Sequence, residues 1–369
     1  MSDKYEETFR FEILAERFPE LSLLKDVPQE EAYHGEGDVY CHTEMVCRTL
    51  TEFPEWSTLP GRERELLFLA AAFHDMGKRS RTRQEEGKII SPGHARQGEK
   101  VFRTLAYREA GRFGLTFAER EQTAKLIRYH GLPVWFAEKP RPDVWLLQAA
   151  ESISLRQLYL LARADVLGRV AEDREGMAER VEWFGEYARE LGVWEEPYPF
   201  FNSYTKERFF NSDNLRQEAQ IYDDRTFDVF LMSGLPLAGK DSWIAEKGGG
   251  LPVISLDGIR EEMGVSPAGG SGRVVAAALE QARDFLRKKQ PFIWNATNII
   301  RETRRKLTTL CAGYGARVHI LYLEAPYLEL LERNRTRQRH IPENVLEEMI
   351  RKLEVPAPWE AEEVRYLTD

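Results

Sequence analysis

The stretch Phe227-Asp-Val-Phe-Leu-Met-Ser-Gly234-Leu-Pro-Leu-Ala-Gly239-Lys240-Asp241-Ser242 decides the architecture of the second half of this chain. Phe227 to Met232 is apolar except for Asp228 and reads as a buried strand. Residues 234–240 read as a loop, and a helical stretch follows. Two glycines separated by four residues and closed by a lysine let backbone N–H groups surround phosphate oxygens, while the lysine reaches the β and γ positions. A strand before and a helix after is the context such a loop requires, which outweighs a chance glycine-rich turn. Gly234, Gly239, Lys240, Asp241 and Ser242 are therefore expected at a nucleotide. One position departs from the pattern. Asp241 stands where Ser or Thr usually binds magnesium, and a carboxylate can serve that ion directly or through water. Leu237 occupies a place that is often glycine, which stiffens the loop.

Outward from the loop, Leu251-Pro-Val-Ile-Ser-Leu, Phe292-Ile-Trp-Asn and Val318-His-Ile-Leu-Tyr-Leu read as further strands with helical stretches between them. Strands alternating with helices predict a parallel sheet covered on both faces. Residues up to about Leu191 read instead as helices, with apolar residues at three- and four-residue intervals from Leu155 to Val170. The fold class is thus multidomain α and α/β: an all-helical domain over residues 1–193, then a parallel sheet flanked by helices over 226–369. Between them, 194–225 opens with Trp194-Glu-Glu-Pro-Tyr-Pro-Phe-Phe-Asn-Ser-Tyr, whose prolines and aromatics predict a packed, non-helical connector. A length of 369 residues suits two domains.

Hydrophobic residues at 42% and charged residues at 31% describe a chain able to bury a core. No apolar run approaches the ~20 residues that cross a bilayer. An acidic N-terminus without an apolar stretch, and three cysteines without a CxxC pair, predict a cytoplasmic protein with neither a disulfide framework nor a cysteine zinc site. The net charge is −9. Residues 226–369 hold 20 basic and 20 acidic residues, which leaves 32 basic and 41 acidic ahead of them, so the whole −9 precedes the phosphate loop. That asymmetry points to two units with different partners.

Five of the seven histidines lie between residues 34 and 130. His74-Asp75, within Leu69-Ala-Ala-Ala-Phe-His-Asp-Met-Gly-Lys78, offers imidazole and carboxylate, ligands suited to divalent transition metals. Around it stand His34-Gly-Glu-Gly-Asp-Val-Tyr-Cys-His42-Thr, Gly93-His94-Ala-Arg-Gln-Gly98, Tyr129-His130-Gly131 and Ala164-Asp165-Val-Leu-Gly-Arg169. Any one of these histidines also reads as a satisfied polar group of a helical domain; five with two placed aspartates point to a metal site.

This ordered series, over roughly Tyr33 to Arg169, resembles the HD-domain phosphohydrolases, an all-helical family of metal-dependent phosphatases and phosphodiesterases. The part from His34 to His42 looks like the HD domain attached to bacterial tRNA nucleotidyltransferases. The resemblance implies His42, His74, Asp75 and Asp165 as core ligands, with His94 and His130 adding a second metal. It implies one or two divalent transition metals such as manganese, nickel, cobalt, zinc or iron. Two ions ~4 Å apart can activate water and stabilise both attacking and leaving oxygens. Lys78 and Arg169 would neutralise the phosphate, and His34 would face the substrate.

In the second half, Ile254-Ser-Leu-Asp257-Gly-Ile-Arg260 puts a carboxylate at a strand end, able to take a proton from an attacking hydroxyl. The arginine three residues on suits an acceptor phosphate. Alone, Asp257 reads equally as a helix N-cap. Phe292-Ile-Trp-Asn295-Ala-Thr297-Asn298 ends in polar side chains without a carboxylate, which leaves Asp241 as the metal contact. Leu330-Leu-Glu-Arg333-Asn-Arg335-Thr-Arg337-Gln-Arg339 is the densest arginine run and reads as a lid over a transferring phosphoryl group. A solvated helix face is the bland alternative.

These residues resemble the kinase domain of the phage-type 5′-OH polynucleotide kinases. The resemblance implies ATP or another NTP with magnesium, donor phosphates held by Lys240, Arg333 and Arg337, Asp257 as general base, and Arg260, Thr297 and Asn298 toward the acceptor. The order of the two halves resembles the bacterial HD-domain polynucleotide kinases. It implies an enzyme that heals single-stranded RNA or DNA ends, with an RNA ligase as functional neighbour and a homodimer as one assembly considered. RNA is favoured because a 2′,3′-cyclic phosphate needs a 2′-OH. The rival readings are a nucleoside-type small-molecule kinase fused to a nucleotide phosphohydrolase, and a non-catalytic nucleotide-switched RNA-binding protein.

Overall fold

The computed structural model describes residues 9–212, 214–266, 269–337 and 340–368. The chain divides into two compact units, Met1–Tyr198 and Pro199–Asp369.

Five helices position the chemistry of the first unit: α1 (Val39–Glu52), α2 (Gly61–Phe73), α3 (His94–Arg108), α4 (Phe117–Tyr129) and α5 (Leu155–Leu167). Three of the starts have a side-chain cap. Asp38 accepts from the Cys41 N–H at 2.9 Å ahead of α1, Thr116 and Glu119 form a reciprocal capping box ahead of α4, and Ser154 caps α5. Such caps satisfy N–H groups that the first helical turn leaves unpaired. In α2 every residue from Leu66 to Phe73 is buried, and a helix apolar on all sides belongs in the interior. It packs against α1, α4 and α5, so the polar pair that ends it, His74 and Asp75, is delivered into the middle of the unit. Gly77 lets the next turn pass against α3. A Cβ there would stand 2.0 Å from the His94 carbonyl oxygen.

The all-helical expectation needs one correction. Arg83–Glu85 and Lys88–Ile90 form an antiparallel hairpin, turned by Glu86 and Gly87 with φ of 50° and 79°, the two-residue turn that matches strand twist. Its first strand is charged and fully exposed, so no apolar alternation marked it.

The expected connector is also partly helical. Ser203–Asn211 is a helix whose N-cap Asn202 accepts from the Thr205 N–H at 2.7 Å. Residues from Pro199 onward fall in the second unit, where Arg225 pairs with Glu207 at 2.9 Å, Asp223 at 2.8 Å and Glu362.

Among the described residues, five parallel strands build that unit: β1 (Phe227–Ser233), β2 (Val253–Ser255), β3 (Phe292–Asn295), β4 (Ala316–Glu324) and β5 (Glu363–Thr368), in the order β2-β3-β1-β4-β5. The helices that matter here are α6 (Lys240–Lys247), α7 (Leu256–Glu262), α8 (Ser271–Arg287), α9 (Arg301–Gly313) and α10 (Tyr327–Thr336). On α8, Val274, Ala278, Ala282 and Leu286 recur every four residues and are buried, making one stripe that packs with Leu231, Ile254 and Phe292 of the sheet. Trp243 and Ile244 of α6 pack with Met232, Ile293 and Leu321 in a separate cluster. Full burial of a leucine such as Leu286 contributes ~1.5–3 kcal/mol.

Two sequence expectations change here. β5 was not among the strands expected, because Glu-Val-Arg-Tyr-Leu-Thr is an edge strand with no buried residue. β2 ends at Ser255 and α7 begins at once, so Asp257 sits in the first helical turn. Ser255 is the N-cap, accepting from the Gly258 N–H at 3.2 Å.

Candidate active sites

In the first unit, the starts of α1 and α3 and the ends of α2, α4 and α5 converge. His42 Nε2 lies 3.0 Å from Asp165 Oδ1 and 3.9 Å from Asp75 Oδ2. His74 Nε2 lies 3.2 Å from Asp75 Oδ2 and 3.9 Å from Asp165 Oδ1. On the other side, Asp75 Oδ1 stands 3.4 Å from His94 Nε2 and 3.9 Å from His130 Nε2, and those two nitrogens are 3.3 Å apart. All six expected ligands are therefore brought together, with Asp75 shared between two groups.

The backbone sets the tautomers. Nδ1 of His74, His94 and His130 lies 2.6, 2.9 and 2.8 Å from the carbonyls of Ala71, Ser91 and Ile127. A carbonyl can only accept, so Nδ1 carries the proton and Nε2 presents a lone pair. Burial drives His130 down to about 3, and burial likewise lowers His94. In His74, burial is outweighed by Asp75 and Asp165, and its pKa rises. Burial would raise Asp75 and Asp165, but Lys78 and His74 hold the first well below 3.8, and Arg169 and His42 the second.

His74 Nε2 and Asp75 Oδ1 are buried without a hydrogen-bond partner among the described residues. Buried polar atoms ordinarily have one, and imidazole nitrogen beside carboxylate is a donor set for a divalent transition metal. The residues fit such an ion. Lys78 Nζ donates to Asp75 Oδ2 at 2.8 Å and Gln29 Oε1 at 2.7 Å, and Arg169 Nη2 donates to Asp165 Oδ1. His34, Lys78 and Arg169 line a pocket of about 340 Å³ that reaches Asp75, His94, His130 and Asp165.

Glu36 escaped the sequence reading. Its Oε1 lies 2.9 Å from His34 Nδ1 and 2.8 Å from His42 Nδ1, and its Oε2 accepts from the Val170 N–H at 2.8 Å. Burial raises this carboxyl, yet His34, His42 and Val170 together hold it far below its ordinary range. A carboxylate behind a ligating histidine orients the ring and raises its basicity. The signal available was only its place between His34 and His42.

In the second unit, β1 ends in the phosphate loop. Gly234 takes a φ of 144°, and a Cβ there would stand 2.2 Å from the Leu323 carbonyl oxygen. Its N–H donates to the Thr297 carbonyl at 2.8 Å. Lys240 opens α6 and is buried, with Nζ donating to the carbonyls of Gly234 at 3.1 Å and Leu235 at 2.7 Å. Burial lowers its ammonium to about 8, against the pull of Asp241 and Asp257. Asp241 Oδ1 accepts from Asn295 Nδ2 at 2.7 Å, which joins the loop to the end of β3. Ser242 is exposed beside it. Arg333 of α10 donates to the Leu237 carbonyl at 2.7 Å and pairs with Glu329. Arg337 caps the C-terminus of α10 and is exposed; Arg339 of the same run lies outside the described residues. The Asp257 side chain is 86% exposed and accepts from Arg260 Nη1 at 3.1 Å.

Asn298 does not face a substrate as expected. It is buried, its φ is 45°, and its Nδ2 donates to the Met232 carbonyl at 2.6 Å. Its own carbonyl accepts from Arg304 Nη1 at 2.9 Å. Arg304 is fully buried and its fork meets Glu360 at 2.7 and 2.9 Å. Nothing in Arg301-Glu-Thr-Arg-Arg-Lys306 distinguishes that arginine from its exposed neighbours.

A family model described as HD domain matches residues 38–169, and one described as AAA domain matches residues 229–356. The chain is 30% identical over 169 residues to a multifunctional CCA protein of Thioalkalivibrio sulfidiphilus, a match covering 44% of this chain and 37% of that protein. The chain thus spans just over a third of the length of the curated relative it matches.

Proposed function

We propose, from a chain that joins an HD domain to a P-loop kinase-like domain, that this protein heals broken RNA ends. The second unit phosphorylates a 5′-OH with a nucleoside triphosphate and magnesium. The first removes a 2′-phosphate, or opens a 2′,3′-cyclic phosphate and clears it. The observation that carries the reading is Asp257, an exposed carboxylate on the first turn after β2 that accepts from Arg260 and whose charge favours the Lys240 ammonium. A protein that only binds nucleotide has no use for a base there.

In the kinase step Asp257 accepts the proton of the attacking hydroxyl. That oxygen bonds the γ-phosphorus as the bond to the β–γ bridging oxygen breaks, and the nucleoside diphosphate leaves with its charge met by Lys240, Arg333 and Arg337. Arg260 orients the acceptor's phosphate. Asp241 would hold the magnesium, which neutralises phosphate charge when bound. In the HD unit, His42, His74, Asp75 and Asp165 would hold one divalent metal, and Asp75, His94 and His130 a second. Bound ions of this kind supply an activated water and charge stabilisation. Lys78 and Arg169 neutralise the substrate phosphate, and His34 lines its approach. The similarity to a multifunctional CCA protein supports an RNA substrate.

The test is incubation with ATP, magnesium and a 5′-OH oligonucleotide beside competing free nucleosides. Label on the oligonucleotide is expected. Label only on nucleosides, or none, overturns the polynucleotide reading.

A further inference from the structure

Asp241 follows Lys240 in the first turn of α6, where a phosphate loop ordinarily continues with Ser or Thr. Its Oδ1 accepts from Asn295 Nδ2 at 2.7 Å, across 54 residues of chain. A carboxylate only accepts, so the amide turns its nitrogen toward Asp241. Asn295 is the last residue of β3, a strand buried along its whole length, and is itself only 9% exposed. β3 lies between β1, which leads into the loop, and β2, which leads into α7. In register, Asn295 stands beside Ser255, two residues before Asp257. The amide thus sits at the strand end between the phosphate loop and the candidate base.

Enzymes with such a loop hold magnesium through a loop Ser or Thr and an aspartate from another segment. Here the carboxylate follows the loop lysine, an uncharged side chain stands at the strand end, and the two touch. Asp241 Oδ2 makes no hydrogen bond among the described residues, so one oxygen is fixed and the other is available. A second carboxylate at position 295 would set two like charges within hydrogen-bond distance. An amide removes that repulsion and still holds Asp241 in one orientation. We infer that the usual donors are exchanged between these two positions, and that Asn295 is the positioning residue that aims Asp241 at the magnesium of the nucleotide. The inference rests on the kinase reading and adds to it the residue that orients its metal contact.

A bond that only ties the loop to β3 would affect nucleotide binding equally with and without the ion. The experiment therefore titrates the intact, metal-stripped protein calorimetrically with β,γ-imido-ATP, first in chelator and then over a series of magnesium concentrations. Asn295→Ala is expected to raise the magnesium needed for half-maximal tightening ~10–100-fold, with binding in chelator unchanged. Asp241→Ser should do the same. Asp241→Ser combined with Asn295→Asp restores the usual arrangement and should return the magnesium requirement to within several-fold of the native value. Unchanged magnesium dependence in Asn295→Ala, or an equal loss with and without magnesium, overturns the proposal. A folded double variant no better than Asp241→Ser overturns the exchange; should the double variant not fold, the split shown by Asn295→Ala decides alone. None of these readouts needs an acceptor. Absent 5′-OH phosphorylation beside an intact magnesium effect refutes the polynucleotide kinase and leaves the role of Asn295 standing. Native binding indifferent to magnesium refutes the metal role of Asp241, and this inference with it.

Discussion

Arg333 Nη1 donates a 2.7 Å hydrogen bond to the carbonyl of Leu237, the one non-glycine residue of the phosphate loop with a positive φ. The lid helix and the loop it covers are therefore coupled before any nucleotide contact is considered. An L side chain in the left-handed region costs ~1–2 kcal/mol. Arg333→Ala is expected to raise the KM for the nucleotide about ten-fold, since a charged hydrogen bond contributes ~1.5–3 kcal/mol. The melting temperature should fall by only a few degrees, from loss of the Leu237 bond, because the half-exposed Arg333–Glu329 pair contributes little. Nucleotide titration beside thermal unfolding checks both.

Lys240 should make nucleotide binding pH-dependent. Its pKa of about 8 in the folded protein reflects burial, and triphosphate oxygens would raise it, so binding takes up a proton once the pH passes about 8. Affinity should be flat below pH 7.5 and fall as the pH rises from 8 to 9.5. Lys240→Arg, which stays charged throughout that range, should lose this slope. Calorimetry in buffers of different ionisation enthalpy measures the proton uptake directly.

Asp75 faces both groups of ligands, whereas His94 and His130 face one. Asp75→Ala is expected to abolish metal retention and phosphate release, and His94→Ala to lower bound metal from two equivalents toward one. Elemental analysis after dialysis reads this. Chelation should stop the phosphohydrolase and, after magnesium alone is restored, spare the kinase.

Glu36→Gln keeps the size of the side chain but removes the charge shared by His34 and His42. Metal affinity should fall ~10–100-fold with the melting temperature little changed and 5′-OH phosphorylation unaffected. A competition titration with a metal indicator dye measures it.

Arg304→Met strands the Glu360 carboxylate in the interior and should destabilise the second unit by ~3–5 kcal/mol. Arg304→Met with Glu360→Leu should recover much of that loss. Chemical denaturation of the three variants compares them.

Though it left out Glu36 and misplaced Asn298, the sequence on its own determined the two architectures and named candidate residues for both sites. Their signals are local: the apolar run of α2, the four-residue stripe of α8, and a glycine loop ending in lysine depend on neighbours within a few turns. What it could not determine is how groups far apart in the chain meet. His42 and Asp165 are 123 residues apart and touch; Arg304 and Glu360 are 56 apart and buried together. The same distance turned Asn298, bonded to Met232 66 residues away, from an expected substrate contact into a brace for β1; Glu36, only six residues from His42, was hidden because it lies in a turn that carries no periodicity. Hydrophobic periodicity reports which face of an element is covered, not which polar side chain lies beneath the cover. That choice is made when helices and strands pack and every buried polar group must find a partner, and only the tertiary structure decides it.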